Sequence, residues 1–68
     1  MKRKKIIILR INHGLNQKDF GETLGTTGQY ISMIETGRAN GSYKFWHKLK
    51  TVYNIPDSEM ESYREIEE

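Results

Sequence analysis

The groups that could do chemistry in these 68 residues are two histidines, nine carboxylates and eleven Lys or Arg, with no cysteine. Without cysteine there is neither a disulfide nor a thiolate metal site, and His13 and His47 alone are too few for a metal centre. The histidines and carboxylates also lack a spacing that would assemble a nucleophile, a base and an oxyanion site. The chain therefore reads as a non-enzyme without cofactor or metal. Its charges are more informative. Residues 1–56 carry ten Lys or Arg against three Asp or Glu, a net +7, whereas residues 57–68 carry one Arg against six acids, a net −5. A basic body with an acidic tail suits a phosphate-binding surface. An ordinary solvated face has the same composition, so charge leaves both readings open.

The elements that must position these groups are short. Sixty-eight residues make a single domain near the lower limit for an independent core, so a small helical bundle or a dimer is expected. The opening MKRKKIIIL has the basic-then-apolar order of a secretion signal. Its uninterrupted apolar run is only Ile6 to Leu9, below the roughly 7–15 residues a signal core needs. No stretch approaches the roughly 20 residues of a membrane span, and a soluble, cytoplasmic protein is expected.

A first helix is predicted over residues 3–12, stopped at Gly14. The β-branched run within it also permits a strand. Ile6, Leu9 and His13 share one face; Ile7, Ile8 and Ile11 point elsewhere, which implies packing on two sides or a partner surface. Leu15 is expected to plug the core, and Asn16 to cap a second helix over residues 17–24. Phe20 and Leu24, four apart, line one face of that helix. Gly21 in mid-helix costs about 0.5–1 kcal/mol relative to Ala, a choice explained by close approach of another helix. Gly25-Thr-Thr is a break of turn length, with Thr27 as the cap of a third helix over 28–35 that carries Ile31 and Ile34. Two short helices so joined, residues 17–36, form a helix-turn-helix unit, whose second helix reads the major groove of DNA.

Ser42 is expected to cap a fourth helix over 43–53, with Trp46, Leu49 and Tyr53 on one stripe and Phe45, Leu49 and Val52 on an adjoining one. Pro56 stops it. Asp57 or Ser58 should cap a fifth, acidic helix over 59–67, with Met60, Tyr63 and Ile66 on one side. The fold class is all-α, a compact five-helix bundle.

From Arg10 to Ile55 the chain resembles the phage repressor and Cro-like helix-turn-helix family, often called XRE-type. The resemblance rests on Gly-Leu-Asn-Gln at 14–17, Phe20-Gly21, Leu24-Gly25, Tyr30-Ile31-Ser32, Ile34-Glu35 and Gly37, then Ser42, the fourth-helix stripe and Asn54-Ile55. It implies a lambda-repressor-like bundle and a set of residue roles. Thr27, Gly28, Gln29, Ser32 and Met33 take the base-contacting positions, and Gln29 is the strongest candidate because its amide can pair bidentately with adenine. Gly28 departs from relatives that carry Gln or Ser there, and Met33 from relatives with a longer polar or basic residue. Gln17 contacts a phosphate or braces the recognition helix. Tyr30 packs toward the fourth helix with its hydroxyl toward the backbone. Arg10 and Glu35 match a buried ion pair tying the first helix to the end of the third.

Phosphate contacts are expected from Asn16, Gln17, Thr36, Arg38, Asn40, Ser42 and Lys44, with residues 1–5 either a mobile basic arm or a solvated tail. A single domain of this kind covers one half-site, so a homodimer on a near-palindromic operator is expected, with Met60, Tyr63 and Ile66 at the interface. The overall expectation is a sequence-specific regulator of bacterial or phage type, a repressor that binds double-stranded DNA. The alternative is an antitoxin-like module that binds a partner protein through Ile7, Ile8, Ile11 and the acidic tail.

Overall fold

The computed structural model describes residues 1–67; Glu68, part of the acidic tail, lies outside them. Five helices follow one another along the chain: α1 (Lys4–Asn12), α2 (Gln17–Thr23), α3 (Gly28–Glu35), α4 (Tyr43–Tyr53) and α5 (Asp57–Arg64). The starts of α2, α3 and α4 follow from capping chemistry. Asn16, Thr27 and Ser42 each stand in extended backbone and accept the N–H three residues on, satisfying one of the donors a helix leaves unpaired. Each helix is short, so stability comes from the faces they bury together. Ile6, Phe20, Leu24, Ile31, Ile34, Phe45, Trp46, Leu49, Ile55 and Met60 form one core. Leu15 and Tyr53 pack against it half-buried. The Tyr53 hydroxyl is 2.6 Å from Thr23 Oγ1, tying the end of α4 to α2.

Four expectations need correction. The fifth helix begins two residues earlier than predicted and ends three earlier, and Pro56, not Asp57 or Ser58, stands at its N-cap position. Asp57 and Glu59 then sit in its first turn, at the positive end of the helix dipole. Beyond Arg64 the backbone turns extended, and Lys2 and Glu67 exchange two N–H···O bonds of 2.7 Å as an antiparallel bridge. Ile66 thus leaves the helix and lies over Gly37.

Of the expected interface residues, one is spent in the core and Ile66 stays exposed. Met60 is 6% exposed and belongs to the core, while Tyr63 is half-buried with the Lys5 ammonium over its ring. Met60 therefore offers little surface to a second copy. Residues 2–5 are not a mobile arm, since Lys4 and Lys5 start α1 and Arg3 is 3% exposed. Finally, α1 does not pack on two sides. Ile6 is buried and Ile7 half-buried, but Ile8 and Ile11 are 55% and 60% exposed, with no other element over them among the described residues. Val52 is likewise exposed on the outer edge of α4.

Candidate nucleic-acid interface

Helices α2 and α3 meet through two glycines. A Cβ at Gly21 would stand 2.8 Å from both the carbonyl carbon and oxygen of Thr27, so any larger residue would push the start of α3 away. A Cβ at Gly28 would stand 3.0 Å from Lys18 Cα and N. The departure at Gly28 is therefore a packing feature. Its Cα faces the backbone of α2, so a side chain at that position would crowd α2.

The other candidates on α3 share a face. Gln29, Ser32, Met33 and Thr36 recur at the i, i+3, i+4, i+7 spacing that places side chains on one side of a helix, opposite buried Ile31 and Ile34. Gln29 and Met33 are exposed and Ser32 half-exposed. Gln29 has no side-chain hydrogen bond among the described residues, so its amide is free for an outside partner. Thr27, exposed just before the helix, accepts the Tyr30 N–H at 3.1 Å and keeps its hydroxyl proton for another acceptor. Thr36 instead donates its hydroxyl to Ser32 O at 2.9 Å, so it can offer a phosphate no donor without breaking that bond.

What holds this face in place is a buried polar cluster. Glu35, 3% exposed, accepts Arg10 Nε at 2.6 Å, Arg10 Nη2 at 3.3 Å and Gln17 Nε2 at 3.0 Å. Arg10 Nη1 also donates to Leu15 O at 3.0 Å. One carboxylate thus joins α1, the α1–α2 loop, the first residue of α2 and the last residue of α3. Gln17 serves here as a brace, and one of its two amide protons remains for a phosphate.

Around the far end of α3 lie Arg38, Asn40 and Ser42. Arg38 and Asn40 are exposed, and Asn40 O accepts Trp46 Nε1 at 3.0 Å. The Ser42 hydroxyl caps α4 by accepting the Phe45 N–H, and the Ser42 N–H donates to the Tyr30 hydroxyl at 3.2 Å. Tyr30 packs edge-on against Phe45, with ring centroids 5.5 Å apart. Asn16, exposed at the start of α2, uses its side-chain oxygen to cap that helix and keeps its amide protons.

A cleft between the Gly25–Thr26 turn and α4 is lined by Tyr30, Ser42, Lys44 and Lys48. Lys48 is absent from the residues picked out by sequence. Its signal was its place four residues after Lys44 on a helix whose buried stripe was already assigned. Like charges at that spacing oppose helix formation by a few tenths of a kcal/mol, roughly.

A helix pair locked by close glycine contacts, an exposed polar face on its second helix, and flanking cations are now in view. A protein-family model described as "Helix-turn-helix" matches residues 6–60. The chain belongs to the helix-turn-helix family, of the Cro-like, XRE type. No curated protein and no solved structure matches it. Membership makes this helix-turn-helix domain a DNA-binding transcription regulator at the level of the family, which is regulatory and not typically enzymatic. Among the described residues no group of His, Asp or Glu could hold a metal ion, and no helix is long and apolar enough to cross a membrane.

Proposed function

We propose that this helix-turn-helix domain is a cytoplasmic, sequence-specific repressor of bacterial or phage type that inserts α3 into the major groove. The observation that carries this reading is the unobstructed face of Gln29, Ser32 and Met33 on a helix fixed from behind by Glu35. Gln29 reads adenine through its free amide, Met33 lays its thioether against a thymine methyl, and Thr27 and Ser32 add shorter contacts. Phosphates flanking the groove are held by Asn16, Gln17, Arg38, Asn40, Ser42, Lys44 and Lys48, together with backbone N–H groups at the start of α4. One domain spans a half-site, so two copies occupy a near-palindromic operator. Selection from random-sequence duplex DNA, followed by gel shift with Gln29→Ala, tests the reading. Enrichment of a near-palindrome that Gln29→Ala binds less well supports it, and selection that enriches no sequence overturns specific readout.

Exposed Ile8 and Ile11 support a second reading, in which α1 takes a protein partner in addition to DNA on the opposite elements. Ile8→Glu would then abolish a stoichiometric complex isolated from the native host while leaving DNA binding intact.

A further inference from the structure

Arg3 is buried without a carboxylate partner among the described residues. Its Nη1 donates to Ile34 O in the last turn of α3 at 2.8 Å and to Ala39 O in the following loop at 2.7 Å. Its Nε donates to Arg64 O at the end of α5, at 3.0 Å. Its Cζ stands 5.5 Å from the centroid of the Trp46 ring, and its backbone N–H donates to Glu35 O at 2.9 Å. The Lys2–Glu67 bridge holds the chain on the preceding residue.

A buried cation is expensive unless its surroundings supply compensating charge. Here the surroundings do so through the negative ends of two helix dipoles and the face of an indole. Burial lowers the Arg3 pKa from its ordinary value, with the Tyr30 phenol partly opposing the shift. Filling space alone would favour an aliphatic residue, which carries no desolvation penalty. The guanidinium adds a geometric constraint, because a single nitrogen is bonded to carbonyls on both sides of the α3–loop junction. Ile34 belongs to the recognition helix, and Ala39 lies between Arg38 and Asn40, two of the candidate phosphate contacts. The same loop is tied from its other side, since Arg38 N and Ala39 N both donate to Met33 O at 2.9 and 3.1 Å.

We propose that Arg3 is a positioning residue for DNA binding, which never touches the duplex but sets the loop of residues 38–42 against α3 so that phosphate and base contacts engage together. The proposal rests on the DNA-binding reading above and assigns the N-terminal segment a role opposite to that of a free basic arm. The two roles respond differently to a conservative change. An arm that met phosphate directly would keep most of its affinity with lysine in place of arginine. A fork bonded to three carbonyls cannot be replaced by a single ammonium.

The probe is a duplex enriched by the unmodified protein from random-sequence DNA, with binding measured at 10 °C after circular dichroism has verified the helices. Arg3→Lys is expected to weaken binding about tenfold, and Arg3→Met, which keeps a stem against Trp46, by a similar factor. In an Arg38→Ala, Asn40→Ala background the effect of Arg3→Lys is expected to shrink to within about twofold, since residues that act through one another are non-additive. Unchanged affinity of Arg3→Lys overturns the proposal while leaving DNA binding standing, as does a loss that persists undiminished in the loop-substituted background. If both Arg3 variants lose their helices at 10 °C, Arg3 serves folding alone and the proposal falls. Failure of the unmodified protein to select any duplex overturns the DNA-binding reading, and this role with it.

Discussion

Arg10 on α1 and Glu35 at the end of α3 meet at 2.6 Å, twenty-five positions apart in the chain, with the Gln17 amide closing on the same carboxylate. The Glu35 side chain is nearly sealed from solvent and that of Arg10 partly reaches it. Breaking such a pair strands a charge, at about 3–5 kcal/mol when both groups are buried, and the exposure of Arg10 points to the lower end. Glu35→Ala is expected to destabilise the domain by about 3 kcal/mol in urea unfolding. An unchanged unfolding midpoint would sink the structural role of the pair.

Gly21 is a second test of packing. Alanine ordinarily stabilises a helix interior by about 0.5–1 kcal/mol over glycine, but here its Cβ would meet the Thr27 carbonyl at 2.8 Å. That contact is with backbone, which cannot swing aside. Overpacking of this kind costs about 1–3 kcal/mol, so Gly21→Ala is expected to lower stability and to weaken DNA binding by shifting α3. A variant more stable than the parent in thermal melts would contradict the close approach.

Gln29 separates recognition from stability. It is exposed and without a side-chain hydrogen bond among the described residues, so Gln29→Ala is expected to leave thermal unfolding within about 0.5 kcal/mol of the parent. In binding assays it should reduce discrimination at one A·T pair by about 1–3 kcal/mol. Equal affinity for the selected sequence and its single-base variants, before and after the change, would remove Gln29 from the reading set.

Lys48 is expected to act through charge alone. Binding should weaken steeply between 50 and 200 mM salt, and Lys48→Ala should reduce the slope of log affinity against log salt by about 1, uniformly across sequences. A slope unaltered by Lys48→Ala would place the phosphate path elsewhere than the cleft beside Lys44.

Local chemistry made much of this domain legible in advance. Asn16, Thr27 and Ser42 announce helix starts because a cap bond spans only three residues, and α3 and α4 run where their apolar spacing places them. Gly21 foretold a close approach because only a contact outside its own helix explains glycine there. Three features depended on distant parts of the chain and could not be read this way. Gly28 looked like an unexplained departure from the family pattern until α2 was seen against its Cα. Met60 was expected at an interface, yet α5 turns it into the shared core. Arg3 looked like part of a solvated arm, but its side chain finds carbonyls 31, 36 and 61 positions away. Helix periodicity and capping are local and are written in adjacent residues. Which face a helix turns inward, and which cation finds a buried acceptor, is decided only when segments far apart in sequence share one small core.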